Sequence, residues 1–335
     1  MKVLFIGGTG LISSACSEMA IQRGVDLFIL NRSRSGKYPV PEGAHLLVGD
    51  VHGDEAALAR LLKRLAFEVV VDWIAFTPND IERDLRLFSG QTGQFVFISS
   101  ASAYQKPPRH YLITEETPLE NPFWEYSRNK IACEERLMRA HREGTLPVTI
   151  VRPSLTYGPS QIPLCVNSWQ HPYTVIDRMK RGRQIIIPGD GTSLWELTWN
   201  GDFAEGFLGL LGNQKAIGEA YHITSDEVLT WNQIYREVGR ALGVDPQIVH
   251  VPSDLIAGYD SDAVGSLIGD KANSAVFDNS KIKALVPDFR CTVPWSEGVH
   301  RTLTWFEADP SRQTIDEHAN ATWDHILAAY QKAFP

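Results

Sequence analysis

The sequence predicts a doubly wound α/β protein, and three observations predict it. Short apolar runs alternate with segments of helical composition through the first 150 residues, glycines mark the join between the first run and its helix, and the run Glu68 to Ala75 is nearly continuous in apolar residues. Strands that alternate with helices imply a parallel sheet covered on both faces, and a continuous apolar strand is what such a sheet buries.

The elements follow in order. Met1 to Ile6 reads as a strand, and the segment after its glycines reads as a helix to about Arg23. Val25 to Leu30 and His45 to Val48 read as the next strands, Glu55 to Leu65 as a helix, and Glu68 to Ala75 as the fourth strand. Phe95 to Ile98, a helix from Glu125 to about Arg142, and a strand at Val148 to Val151 complete the alternation. Residues 1–153 therefore form one expected unit. Beyond Pro153 the periodicity weakens through the clusters YGPSQIP and IPGDGTSLW, with helices expected near Phe203 to Leu211 and Trp231 to Leu242. Residues 154–335 read as a smaller, partly interleaved lobe, in which about 197–223 returns to the first unit and Trp323 to Phe334 forms an amphipathic final helix.

With 335 residues, 43% of them hydrophobic, the chain has ample material for a packed core. A net charge of −8 opposes general affinity for nucleic acid or an anionic membrane. The N-terminal MKVLFIGGTG is too short in apolar residues for a signal peptide, and no run reaches membrane-spanning length. Cys16, Cys133, Cys165 and Cys291 form no CxxC pair, and the ten histidines show no HExxH spacing. The expectation is a cytoplasmic protein with reduced cysteines and no metal centre.

Chemistry enters at VLFIGGTGLIS. Gly7, Gly8, Thr9, Gly10, Leu11 and Ile12 join a strand to a helix, where bare backbone can approach a pyrophosphate at the helix N-terminus. This predicts a Rossmann-type dinucleotide site. The last position of the GxxGxxG spacing is Ser13 rather than glycine. At the end of the second strand stand Asn31 and Arg32, with no carboxylate to accept both ribose hydroxyls of NAD. An arginine there suits a 2′-phosphate, so NADP is favoured and NAD is the alternative. Asp50 and Val51 follow the third strand and are expected near the adenine, with Ala75 and Phe76 lining the cofactor at the end of the fourth.

The fifth strand ends in FISSASAY, which puts Ser99 and Ser100 at the carboxyl edge of the sheet, and the next helix carries WEYSRNK. Tyr126 and Lys130, four apart, share a helix face. Ser100, Tyr126 and Lys130 form a candidate catalytic set, because a tyrosine of ordinary pKa near ~10 needs help to ionise near neutrality. A cation beside it supplies that help; Lys130 is also expected to hold the nicotinamide ribose.

These landmarks, with the GD of VGDVHGD and VRPSLTYGP, resemble the extended short-chain dehydrogenase/reductase superfamily, and within it the NAD-dependent epimerase/dehydratase family. LNRS, DWIAFTPND, WEYSRNKIACEE and PGDGTSLWELTWNGDFAEGF look closest to the branch containing chloroplast stem-loop binding proteins and their bacterial relatives. The resemblance implies a cofactor contact at Pro153 and a homodimer paired through the helix of Tyr126 and one near Asn79 to Phe88.

Departures from the family pattern narrow the reaction. The sugar 4,6-dehydratases carry an acidic pair where this chain has Ala101 and Ser102, and Trp195 stands where nucleotide-sugar epimerases place an arginine. Ser102, Trp195 and Trp199 are the candidate substrate contacts, the two tryptophans stacking on a sugar-like ring or else packing in a core. Trp73 and Trp169 are weaker pocket candidates that read first as packing residues, and MKRGR, Met179 to Arg183, reads first as a solvated helix end and second as a hold for a phosphate or carboxylate. The expected function is an NAD(P)-dependent oxidoreductase that moves hydride at a secondary alcohol or ketone of a carbohydrate-like small molecule, with Tyr126 as acid and base. The alternatives are a redox-neutral sugar epimerase with tightly held cofactor and, by resemblance, an RNA-binding protein of the stem-loop type.

Overall fold

A computed structural model describes residues 1–33, 38–63 and 65–333. Its centre is a seven-stranded parallel sheet. Strands β1 (Lys2–Ile6), β2 (Asp26–Asn31), β3 (His45–Val48), β4 (Phe67–Asp72) and β5 (Thr92–Ile98) are joined by Val148–Pro153 and Ala220–Ile223. The spatial order is Ala220–Ile223, Val148–Pro153, β5, β4, β1, β2, β3.

Alternation within β1 explains the two layers. Val3 and Phe5 point into a core with Ile29, Val71, Val96 and Phe207, while Leu4 and Ile6 point into another with Val70, Phe95, Phe97 and Leu137. Successive side chains of a strand leave on opposite faces, so a strand covered on both sides must be apolar at every position. The first core is roofed by α1 (Ser13–Gln22) and the helix Asn200–Leu208, which pack together. The other lies under α2 (Glu55–Leu62), α3 (Pro78–Phe88) and α4 (Glu125–Arg142).

Local chemistry sets the helix ends near the site. Pro78 occupies the first turn of α3, and the Asp80 carboxylate accepts from the Thr77 N–H at 2.9 Å. Glu125 begins α4, and Arg139, His141 and Arg142 end it, in accord with the helix dipole. Helix α2 stops at Leu62 rather than Leu65, turning where the Leu65 N–H meets the Leu62 carbonyl at 2.8 Å. The last helix runs Glu317–Ala333, beginning six residues earlier than the apolar pattern suggests, because the Asp316 carboxylate caps it through the Ala319 N–H at 2.9 Å. Phe334 lies outside the described residues.

The remaining chain builds the second lobe around a third core that includes Tyr157, Trp195, Trp231, Trp295 and Trp323. A sheet of Leu155–Tyr157, Leu194–Trp199 and Val228–Thr230 forms its floor. The lobes interleave in both directions. Residues 200–223 return to the central sheet, and Leu112–Ile113 leaves the first lobe to pair with Val276–Phe277. The π-helix Val264–Lys271, for which the sequence has no periodic signal, packs on the entrance to α4, where a Cβ on Gly269 would stand 2.9 Å from Phe123 Cβ. No helix among the described residues is long and apolar enough to cross a membrane.

Candidate active site

The turn after β1 is bare backbone. Gly7 and Gly8 both have φ of 99°, and a Cβ on Gly7 would lie 3.1 Å from Trp73 Cβ and 3.2 Å from Ile74 Cγ2. Only glycine takes this conformation and this approach without strain. Ser13, at the position where the motif carries glycine, accepts the Gly10 N–H at 2.9 Å. The serine therefore ties one turn N–H to the first residue of α1.

This turn is the floor of a cavity of about 640 Å³ along the carboxyl edge of the sheet. Gly7, Gly8, Thr9, Gly10, Leu11 and Ile12 line it, as do Asn31, Arg32, Asp50, Val51, Phe76 and Pro153. Arg32 is exposed at its rim, while Asp50 holds the loop by accepting the His52 N–H at 3.0 Å. Ala75 does not line the cavity. It is fully buried, and its contribution is its carbonyl, which accepts from Lys130 Nζ at 2.7 Å. Trp73, a packing residue first and a pocket candidate second by its sequence, lines the cavity with its ring edge-on to Phe5 at 5.6 Å and its buried Nε1 unpartnered.

A second cavity of about 390 Å³ opens on the other side of Tyr126. Ser100, Tyr126, Pro153 and Ser154 border both. Ser102 and Trp195 line the second cavity, and Trp195 is pinned there by its Nε1 donating to the Lys271 and Asn273 carbonyls. Trp199 lines neither. It packs edge-on against Tyr157 at 5.3 Å with the Arg301 guanidinium over its ring, so the expected substrate contact is corrected to a core residue. Trp169 is 48% exposed and lines the cavity, which agrees with its second reading as a pocket candidate rather than its first as packing.

Ser100 is positioned by a chain of hydroxyls. Its Oγ shares a 2.9 Å hydrogen bond with Ser102 Oγ, to which Ser127 Oγ donates at 2.7 Å. The Asn121 amide donates to the Ser102 carbonyl at 2.8 Å. Beneath them, Arg152 and Glu134 form a buried two-pronged pair, the Ser99 hydroxyl donating to the same carboxylate. This pair clamps β5 and its neighbouring strand to α4. Ser127 was visible only as the residue after Tyr126 in YSRNK, with no spacing that marks it.

Lys130 is buried, with its ammonium 4.6 Å from the Phe76 ring centre, 4.8 Å from Phe97 and 5.7 Å from Tyr126. Its hydrogen bonds go to the carbonyls of Ala75 and Ile98, both at 2.7 Å. Burial lowers its pKa to about 8. Tyr126 is held above its ordinary value, chiefly by burial and further by the Asp270 charge, while the hydrogen bond with the Ser100 hydroxyl opposes both. The sequence expects Lys130, with the positive nicotinamide added, to bring the phenol down; in the chain itself burial prevails. A lysine drawn to two carbonyls is a weaker neighbour than one aimed at the phenol.

The glycine cradle, the Arg32 rim and the inward Lys130 fit a nicotinamide dinucleotide. No group of three or more His, Cys, Asp or Glu side chains among the described residues is arranged to hold a metal ion.

Residues 85–224, which include Ser100, Tyr126, Lys130 and Trp195, match the family described as NAD dependent epimerase/dehydratase. Over this stretch the chain is similar to that family. It is 27% identical over 268 residues to the chloroplast stem-loop binding protein of 41 kDa b of Arabidopsis thaliana, a match covering 74% of this chain and 65% of that one. It is 25% identical to the 2′-dehydrokanamycin reductase of Streptomyces kanamyceticus, over 87% of this chain and 80% of that one. Among solved structures, an epimerase from Methanothermobacter thermautotrophicus shares the fold with a TM-score of 0.75 at 19% identity, covering 92% of this chain and 93% of that one. The dTDP-glucose 4,6-dehydratase of Bacillus anthracis, solved with NAD, shares it with a TM-score of 0.73 at 20% identity, covering 93% and 98%. The matched stretch has no carboxylate at Ala101 or Ser102 and carries an indole at Trp195.

Proposed function

We propose that the chain is an NAD(P)-dependent oxidoreductase of the short-chain dehydrogenase/reductase superfamily, acting on a secondary alcohol or ketone of a carbohydrate-like substrate. The observation that carries the reading is that Ser100 and Tyr126 stand on the wall common to the two cavities, with Lys130 reaching the first from behind. A substrate held in the second cavity would meet a cofactor held in the first at that shared border.

NAD(P), when bound, supplies or accepts the hydride and brings a positive charge when oxidised. Tyr126 takes the proton of the substrate hydroxyl during oxidation and returns it to the carbonyl oxygen during reduction. Ser100 orients that oxygen by hydrogen bonding. Lys130, which donates to the Ala75 and Ile98 carbonyls, would hold the nicotinamide ribose and contribute positive field at Tyr126.

We assign the cofactor preference to NADP on the strength of Arg32 and the absence of a carboxylate at Asn31, although relatives of this fold have been solved with NAD. A homodimer paired through α3 and α4 is part of the same reading, to be checked by sedimentation. A second reading, a redox-neutral epimerase, draws on the similar epimerases of known structure. The stem-loop relative suggests RNA binding, which the net charge of −8 does not favour.

The experiment is to denature the purified protein, identify any nicotinamide dinucleotide released, and titrate emptied protein with NADPH and NADH. Exchangeable binding that prefers NADPH supports a reductase. Stoichiometric oxidised cofactor favours the epimerase, and no binding of either nucleotide overturns the assignment.

A further inference from the structure

The second cavity contains a charge arrangement that the hydride-transfer reading does not use. Asp270 lies between two buried lysines, Lys106 Nζ at 3.3 Å from one carboxylate oxygen and Lys271 Nζ at 3.3 Å from the other. These three groups leave one positive charge in excess. Lys106 does not line the cavity and stands 5.9 Å from the centre of the Trp195 ring. Lys271 does line it, with its ammonium 5.6 Å from the Trp169 ring centre and 5.8 Å from that of Trp124.

We infer that this cavity takes a hydroxylated ring bearing a single carboxylate, of the hexuronate class, with Lys271 receiving the carboxylate. The inference rests on the reading of the cavity as the substrate site of a hydride-transfer enzyme. A buried cation in excess of its counter-charge is costly, and an anionic ligand removes that cost through a charge-assisted hydrogen bond. Lys271 is held in place for this role, since its carbonyl accepts from Nε1 of both Trp195 and Trp231. The rings of Trp124 and Trp195 offer apolar faces to the ring carbons of a sugar.

A second observation points to hydroxyl groups on the ligand. Ser154 and Thr156 line the same cavity, and both side-chain oxygens are buried without a hydrogen-bond partner. Buried hydroxyls are ordinarily satisfied, so two in one cavity mark positions for polar ligand atoms. One excess charge matches one carboxylate better than it matches a diphosphate.

The test uses the cofactor-loaded protein and its tryptophan fluorescence. A first titration with NADPH and NADH establishes whether the first cavity binds a dinucleotide. The loaded protein is then titrated with D-glucuronate, D-galacturonate, D-glucose, D-galactose and UDP-glucose. At least one uronate is expected to bind tenfold or more tightly than its neutral hexose and more tightly than UDP-glucose. Lys271→Gln should erase that preference, Lys271→Arg should retain most of it, and Asp270→Asn should tighten uronate binding severalfold by raising the excess charge. Failure of the dinucleotide titration overturns the reading of the whole site. Dinucleotide binding without a uronate preference, tighter binding of UDP-glucose, or a preference that survives Lys271→Gln overturns this inference alone.

Discussion

The Lys130 ammonium lies 5.7 Å from the centre of the Tyr126 ring, yet it donates to the carbonyls of Ala75 and Ile98. The i, i+4 spacing sets the two side chains on one face of α4, and the carbonyls of Ala75, beyond β4, and Ile98, at the end of β5, determine where the ammonium goes. Burial costs Lys130 part of its charge and raises the phenol of Tyr126.

Replacing Tyr126 by Phe removes the proposed acid and base without emptying the cofactor cavity. Turnover should fall by about 10²–10⁴ while NADPH affinity changes less than about threefold. Stopped-flow or steady-state absorbance of the reduced nicotinamide measures both, and unchanged turnover would remove Tyr126 from the proposed role.

Lys130 links stability to pH. Its folded value of about 8 lies below the ordinary lysine value of 10.5, so the unfolded chain binds more protons between those limits. The charged lysine therefore costs stability fully below pH 8, and that cost disappears as pH rises toward 10.5. Relative to Lys130→Met, the native protein should gain up to about 3 kcal/mol over this window. Urea unfolding of both proteins at pH 7.5 and pH 10 checks the sign, and parallel pH profiles would refute it.

Asp270 raises the pKa of Tyr126, so Asp270→Asn should bring it down. If the phenolate form is required for alcohol oxidation, the acidic limb of the kcat/KM profile moves to lower pH. A limb that stays in place, or moves up, contradicts the electrostatic assignment.

Arg152 and Glu134 are a buried pair, and removing one member leaves the other charge unpaired. Arg152→Met should destabilise the fold by about 3–5 kcal/mol, and Arg152→Met with Glu134→Gln by less. Denaturant midpoints of the two single variants and the double variant supply the comparison.

Arg32 stands on the exposed rim of the cofactor cavity. If it grips a 2′-phosphate, Arg32→Ala should weaken NADPH by about tenfold or more and leave NADH nearly unchanged. Equal effects on both nucleotides would show that Arg32 does not set the preference.

By itself the sequence determined the parallel sheet, the helices of the first lobe and the glycine turn. These are legible because each is specified by short-range patterning: apolar continuity through β4, alternation of strands with helices, and backbone geometry that glycine alone adopts at Gly7 and Gly8. The same local rules brought Tyr126 and Lys130 to one helix face. Their limits lie at Trp169, Trp195 and Trp199, because aromatic residues in the second lobe look alike until their surroundings are known. Tertiary structure alone decided that Trp195 borders a cavity while Trp199 packs on Tyr157, and that the carbonyls of Ala75 and Ile98 hold Lys130. It also decided that Asp270 lies between Lys106 and Lys271. The physical reason is distance along the chain: the Asn121 amide bonds the Gly269 carbonyl across 148 residues, and no periodicity in the sequence records a contact of that span.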